Sequence, residues 1–411
     1  MKGEFFKVDI DVNKVRIFGD LRLNSLPSLT SALYQVVVKS RYKDIVIDLS
    51  SLSSLTNSAV PPLAAYLRHL TRNNAADFTL YEPRSAAVKS RVIGLGLAHY
   101  ISHRMYPKPR LKSSDPALLQ FMTHDEREVA VDKVINAALR VAKLDRQHVA
   151  ALEWAVNEIT DNVLTHSESK IGGFLICGKV PGTNIIEFTV ADAGIGVSRS
   201  LRIIDEQEAV EQAIQEGVTR NKSTNQGNGL YGTYRLALAS SGIFVLKSRH
   251  GNLYVTKTGE MHIRNETVPY SGTFVVCQID CDNPDLIERA FAFSGKSHSP
   301  AFDYIERKHE SSDETIVAAT DICKTFGSRQ SGAEARRYIL NILESAQSGT
   351  LKIDFTNVNV VSSSFADEVF GKLFVQLGPM QFMRAVKVTN AVSVVEGLID
   401  RAITLRAQTG L

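Results

Sequence analysis

EWAVNEITDNVLTHS, residues 153–167, decides how the middle of this chain is read. Ala155, Ile159 and Val163, with Val156 and Leu164 beside them, recur at steps of three and four residues, which is the period of an amphipathic helix. The same stretch holds Asn157, Glu158, Asp161, Asn162 and His166. Glu158 and Asn162 stand four residues apart and so share a helix face, and Asn157 and Asp161 form a second such pair. A carboxylate with a neutral amide one turn away suits a hard cation. The Asn carbonyl oxygen can ligate Mg²⁺, which keeps most of its waters and takes its remaining ligands from phosphates. The Glu can orient a water or hydroxyl for attack on a phosphoryl group. The plain alternative is a solvated helix face.

Two stretches further on bear on the choice. In IIEFTVADAGIGV (185–197) an apolar run ends in Asp192, with Gly194 and Gly196 after it. Glycines there permit a tight turn with close backbone approach. The carboxylate can accept a hydrogen from the amino group of a base such as adenine. In NQGNGLYGTYRLALASSG (225–242), Gly227, Gly229 and Gly232 precede a helical run. Backbone N–H groups laid open by glycines at a helix start suit phosphate. No strand leads directly into this stretch, so it is not a dinucleotide-binding fingerprint, and no GxxxxGK[ST] occurs.

Taken in this order, the three elements resemble the GHKL superfamily of ATPases, which includes histidine kinases, gyrase-type topoisomerases and anti-sigma-factor kinases. The resemblance covers residues 118–281. Glu158 and Asn162 match the N box, Asp192 to Gly196 the G1 box, Gly227-Asn228-Gly229-Leu230 the G2 box, and SGTFVVCQI with Gly272 and Thr273 the closing strand. The resemblance implies ATP and Mg²⁺ as cofactors. It makes Asn162 the metal ligand and Glu158 the catalytic base or water-orienting residue. It makes Asp192 the reader of adenine, with Thr273 supporting it. Residues 198–226 become a lid over the phosphates, with Arg220 and Lys222 as candidate contacts. Tyr231 departs from the family's third G2 glycine, which falls one place later at Gly232. Thr165 stands where sensor histidine kinases often carry Lys, and His166 fits the anti-sigma-kinase pattern better. His124 in THDEREVA lacks the proline of a histidine-kinase acceptor box.

The flanks alternate strand-like and helix-like segments, the pattern of small α/β domains. Residues 45–67, IVIDLSSLSSLTNSAVPPLAAYL, align without gaps on 351–373, LKIDFTNVNVVSSSFADEVFGKL, placing Asp48 on Asp354 and Ser58 on Ser364. This internal similarity suggests related terminal domains. Residues 1–110 resemble a STAS domain, the fold of anti-sigma-factor antagonists. Ser58 falls where that family carries a phosphorylated serine, although Thr56 replaces the acid that usually precedes it. The alternative for Ser58 is an N-cap of the helix beginning near Val60. Residues 313–411 resemble a STAS-like domain of unknown function, with Ser363 or Ser364 capping a helix whose first turn holds Asp367 and Glu368. The expected fold is therefore α/β and α+β multidomain: a central GHKL (Bergerat) α/β sandwich over 118–281 between STAS-like domains at 1–110 and 313–411. MYPKPRLKSSDPAL (105–118) reads as a linker, with helices expected first in the central domain.

The chain of 411 residues is 44% hydrophobic and 22% charged, with a net charge of +3. These are values of an ordinary globular protein, and they argue against nucleic acid as the main partner. No run of about 18 apolar residues points to a membrane span. Cys177, Cys277, Cys281 and Cys323 lack a zinc-binding pattern, and reduced thiols in the cytoplasm are the expectation. The function expected is a signalling protein of the anti-sigma-factor-kinase type. In it, nucleotide state controls STAS-domain or other protein contacts, with Ser/Thr phosphotransfer as the sharper version. The rival expectations are an ATPase working as a homodimer clamp and a non-catalytic scaffold.

Overall fold

The computed structural model describes residues 5–74, 76–108, 116–218, 229–283, 286, 290, 292–293, 296–297, 310–311, 314–345 and 349–409. Arg220, Lys222, Gly227 and Asn228 lie outside them. The chain forms two compact units. One draws on Met1–Leu111, Asp115–Val134 and Trp154–Ser299, the other on Lys112–Ser114, Ile135–Glu153 and Pro300–Leu411.

The first unit opens with strands β1 (Phe6–Asp11), β2 (Lys14–Leu21), β3 (Asp44–Leu55) and β4 (Asp77–Tyr81), in that order across one sheet. The β1–β2 pair is antiparallel, and β2–β3 and β3–β4 are parallel. Helices α1 (Leu26–Tyr34), α2 (Val60–Asn74), α3 (Ala86–Gly94) and α4 (Leu97–Ile101) complete this part. Pro61 and Pro62 sit in the first turn of α2, where the missing N–H costs no helical bond.

A second sheet follows. Its strands are β5 (Leu119–Phe121), β6 (Gly173–Lys179), β7 (Ile185–Asp192), β8 (Phe244–Val255) and β9 (Met261–Asp280), ordered β5-β6-β7-β9-β8 and antiparallel throughout. Helices α5 (His124–Val141) and α6 (Arg146–His166) precede β6. Helices α7 (Val197–Leu201), α8 (Glu206–Gln212) and α9 (Gly229–Ala239) lie between β7 and β8. The strand β5 is a difference from the sequence expectation of helices first. It is three residues long, and Leu118 just before it is buried, with its N–H on Leu95 O at 3.0 Å. So short a strand has no periodicity to read.

Successive side chains of a strand point to opposite faces, and both faces of this sheet are covered. Gly173, Asp192, Cys277 and Phe244 belong to the helical face. A Cβ on Gly173 would stand 2.9 Å from Val163 of α6, and the Phe244 ring packs on Tyr234 of α9 at 5.9 Å. Phe174, Ile176, Ala191, Val245, Phe274 and Val276 point the other way and join Leu63, Leu67 and the β2–β3 residues in one hydrophobic core. Helix α2 packs directly on β6 and β7. This double burial explains why GFLICGK and IIEFTVAD read as nearly continuous apolar runs. The expected sandwich with helices on one face becomes three layers, in which residues 1–110 supply the third.

In the second unit, strands Glu310–Ser311, Glu314–Ala318, Leu351–Asp354 and Val386–Thr389 lie in that order, the first pair antiparallel and the next two parallel. Order and directions repeat those of β1 to β4. The aligned aspartates also behave alike: Asp48 Oδ1 accepts the Ser50 N–H at 2.9 Å, and Asp354 Oδ1 accepts the Thr356 N–H at 2.9 Å. Ser362, rather than Ser363 or Ser364, caps the following helix by accepting the Phe365 N–H at 3.0 Å. Asp367 and Glu368 are neutralised in place, Asp367 by Arg406 at 2.8 Å and Glu368 by Lys372 at 2.6 Å. Buried Asn341 binds backbone of 139–144 with both ends of its amide. Its Oδ1 accepts from Leu144 N at 3.1 Å, and its Nδ2 donates to Leu139 O at 2.8 Å and Ala142 O at 2.9 Å.

Candidate functional site

The polar residues of α6 divide into two sets. Asn157 is committed to α5, since its side-chain oxygen accepts Arg127 Nη1 at 3.1 Å. Asp161 accepts the Thr165 hydroxyl at 3.1 Å and lies 3.9 Å from His124 Nδ1. Glu158 and Asn162, both half-buried, have side chains with no hydrogen-bond partner among the described residues. Burial raises the Glu158 carboxyl above its ordinary range, the Asp161 charge adds to this, and Arg127 opposes it. A half-buried carboxylate without a bonding partner is costly unless something else engages it.

Glu158 faces the start of α9. A Cβ on Gly229 would stand 2.5 Å from Glu158 Oε2 and 3.2 Å from Glu158 Cβ, so the start of α9 lies close against this side chain. Of the G2-like residues Gly227, Asn228 and Gly229, this one is described, and it meets α6.

The C-terminal end of α6 holds the Asp192 bend. Ser167 O accepts the Ile195 N–H at 2.8 Å, and a Cβ on Gly194 would lie 1.9 Å from that oxygen. Asp192 ends β7 opposite Gly173 of β6 and is buried. Its Oδ1 accepts the Gly194 N–H at 2.7 Å and the Thr273 N–H at 3.3 Å. Its Oδ2 has no partner among the described residues. Burial pushes the Asp192 carboxyl up to about 7, against the pull of those two N–H groups. Gly196 has φ +82°, and a Cβ there would meet Arg249 and Ser248. The Ser248 hydroxyl accepts Val197 N at 2.8 Å and touches Thr273 Oγ1 at 3.1 Å. Gly272 has φ +107°, and its Cβ would meet Asp192 O at 2.3 Å, so β9 closes on the bend at a residue without a side chain.

The stretch of α6 from Glu158 onward thus carries Glu158 and Asn162 and holds the Asp192–Gly196 bend at its C-terminal end. The free groups of these residues are one amide, one carboxylate and one carboxyl oxygen. That donor set fits Mg²⁺ beside phosphate at one end and an amino-bearing base at the other. Among the described residues there is no cluster of three or more His, Cys, Asp or Glu that could hold a metal ion.

The first half of the expected lid, 198–226, is partly helical, in α7 and α8. Asp205 caps α8 by accepting Gln207 N at 2.8 Å and Glu208 N at 3.0 Å, and α8 packs on β8. Ser58 is buried in a 3₁₀ turn, Asn57–Ala59, that runs into α2. Its hydroxyl lies 3.4 Å from Thr56 Oγ1, and Glu187 of β7 lies beside it, where Ser58 partly offsets the rise that burial gives the Glu187 carboxyl. Sequence reasoning passed over Ser248, Ser167 O and Tyr270, which shape the bend. The only trace of Tyr270 is its place two residues before Gly272.

Residues 331–396 match the family described as STAS-like domain of unknown function (DUF4325). The C-terminal part of the chain is therefore a STAS-like domain. No curated protein matches the chain. All four cysteines are free and buried, and no helix among the described residues is long and apolar enough to cross a membrane.

Proposed function

We propose that this chain is a Mg·ATP-binding regulatory protein of the anti-sigma-factor-kinase type, with a GHKL-like central domain and a STAS-like domain at each end. In this reading the nucleotide state controls how the STAS-like domains pack or bind a protein partner. The observation that carries the proposal is the convergence on α6. Glu158 lies against Gly229, and Ser167 O holds the Asp192 bend, so three segments far apart in sequence meet along α6. The equal strand order of the two four-stranded sheets supports the N-terminal assignment. Four free, buried thiols fit a cytoplasmic setting.

Bound Mg·ATP would supply a transferable phosphoryl group. Asp192 Oδ2 accepts the amino hydrogen of adenine while Oδ1 stays fixed by Gly194 and Thr273. The Asn162 carbonyl oxygen would hold the Mg²⁺ that neutralises the phosphates. Glu158, its carboxyl raised by burial, receives the proton of the attacking hydroxyl or water. Ser58 as an acceptor would have to leave the seat in which Glu187 holds it.

Calorimetric titration with ATP, with and without Mg²⁺, tests the reading. Binding should require Mg²⁺ in the parent, and Asn162→Ala should abolish this Mg-dependent binding. Labelled γ-phosphate on protein identifies a kinase, whereas free phosphate alone identifies an ATPase. An absence of binding to the parent, or binding by Asn162→Ala and Asp192→Asn like the parent, rejects the site.

A further inference from the structure

Tyr270 of β9 is buried, and its hydroxyl faces two main-chain carbonyls at equal range: Pro62 O, in the first turn of α2, and Asp192 O, each at 3.2 Å. A phenol carries one proton. It can donate fully to one of these oxygens or share between them, so the strength given to one is withdrawn from the other. The ring is held independently of this choice, stacked on Tyr66 of α2 at 6.2 Å and edge-on to Phe274 at 5.1 Å. The oxygen on one side belongs to the N-terminal domain, and the oxygen on the other belongs to the residue that begins the candidate site's bend. Gly272, two residues along β9, closes on the same Asp192 carbonyl.

We propose that Tyr270 is a positioning residue whose hydroxyl links the seat of α2 to the shape of the Asp192 bend, so that moving the N-terminal domain alters the candidate site and occupying the site alters the hold on α2. The link follows from one proton standing between two acceptors. Its consequence for nucleotide rests on the reading of the site above, while the link itself does not.

Tyr270→Phe and either of two seat substitutions, made singly and in combination in the full chain, separate these. Tyr270→Phe keeps the ring contacts and removes the donor. Ser58→Ala disturbs the N-terminal seat from the far end of the same contact, at Glu187. Gly178→Ala is a second push, because its new methyl would stand 2.7 Å from Asn57 Nδ2 and 3.2 Å from Pro116 Cβ. Amide hydrogen exchange without nucleotide reads the bend at Gly194 and Ile195 and reads the first turns of α2. Core amides of β8 serve as the reference for global stability. In the parent, Ser58→Ala or Gly178→Ala should speed exchange at Gly194 and Ile195 by between about twofold and about tenfold, the range one neutral hydrogen bond allows. With Tyr270→Phe in place, the same seat substitutions should add nothing at the bend. Effects that multiply independently, a bend unmoved by either seat substitution, or acceleration spread equally over β8 would each overturn the link. Mg·ATP titration of the same proteins is a separate readout. Failure of the parent to bind rejects the nucleotide reading and leaves the exchange cycle to decide the link.

Discussion

Asp192 offers the sharpest test, because its protonation and its ligand would compete for one oxygen. The carboxyl is held near 7 by burial, while Oδ1 is occupied by Gly194 and Thr273 N–H groups and Oδ2 is open. If the ionised form accepts the amino hydrogen of adenine, affinity follows the ionised fraction. That fraction rises from about one tenth at pH 6 to about nine tenths at pH 8, which predicts about tenfold tighter binding, or about 1.4 kcal/mol. The folding equilibrium has a matching sign. The native carboxyl keeps its proton up to about 7 while the unfolded one loses it near 4, so stability falls as pH rises between these values and is level above. The full difference is on the order of 4 kcal/mol. Mg·ADP titrations and urea unfolding between pH 5 and 8 measure both, and Asp192→Asn provides the control that carries the ligand's own titration. The Asn variant should bind weakly at every pH and lose the slope in stability. Parent and variant with parallel profiles would refute the assignment of the titrating group and of the adenine reader together.

Four other substitutions have defined outcomes. Glu158→Gln should leave Mg·ATP binding in place and lower phosphate release or transfer by about 10²- to 10⁴-fold, and turnover within threefold of the parent rules out its role as base. Gly194→Ala puts a methyl 1.9 Å from Ser167 O and should cost about 1–3 kcal/mol, seen as a melting point lower by several degrees, while Gly94→Ala, with nothing within 4 Å, should be close to neutral. Asn341→Ala strands one buried N–H and two carbonyls and should cost about 3 kcal/mol or more in chemical denaturation, and a loss below about 1 kcal/mol would mean water replaces the amide there.

What could be read from the sequence follows from how local each feature is. Helix α6 was legible because its apolar spacing lies within one segment, and the Asp192 bend because an apolar run ending in Asp and two glycines is a local signal. The strand runs of β6 and β7 even carried the mark of burial on both faces. Which polar side chains of α6 face the site was not legible, since Asn157 is claimed by Arg127, thirty residues earlier, and Glu158 is not. The capping Asp205 in front of EQEAVEQ was a legible helix start inside a stretch read as a lid. Ser58 shows the opposite case. Its sequence context suggests a phosphorylated-serine position or a helix cap, but the residue is buried beside Glu187 of β7, more than a hundred residues away.

The covering of the central sheet changes what the N-terminal domain can be. A module that only recruits partners would meet its neighbour through a modest, polar surface. Here α2 supplies Leu63 and Leu67 to the same core as Phe174, Ala191 and Phe274. The contact also buries Glu187 with Ser58 and Gln278 as its partners, and Tyr270 between two carbonyls. Separating the two would expose apolar strand residues and leave a buried carboxylate and a phenol to find new partners, a cost that water only partly offsets for the polar groups. The N-terminal domain therefore acts as one wall of the central sheet. In the proposed regulatory role, a change in this domain would thus reach the Asp192 bend through β7 and β9 rather than through release of the domain.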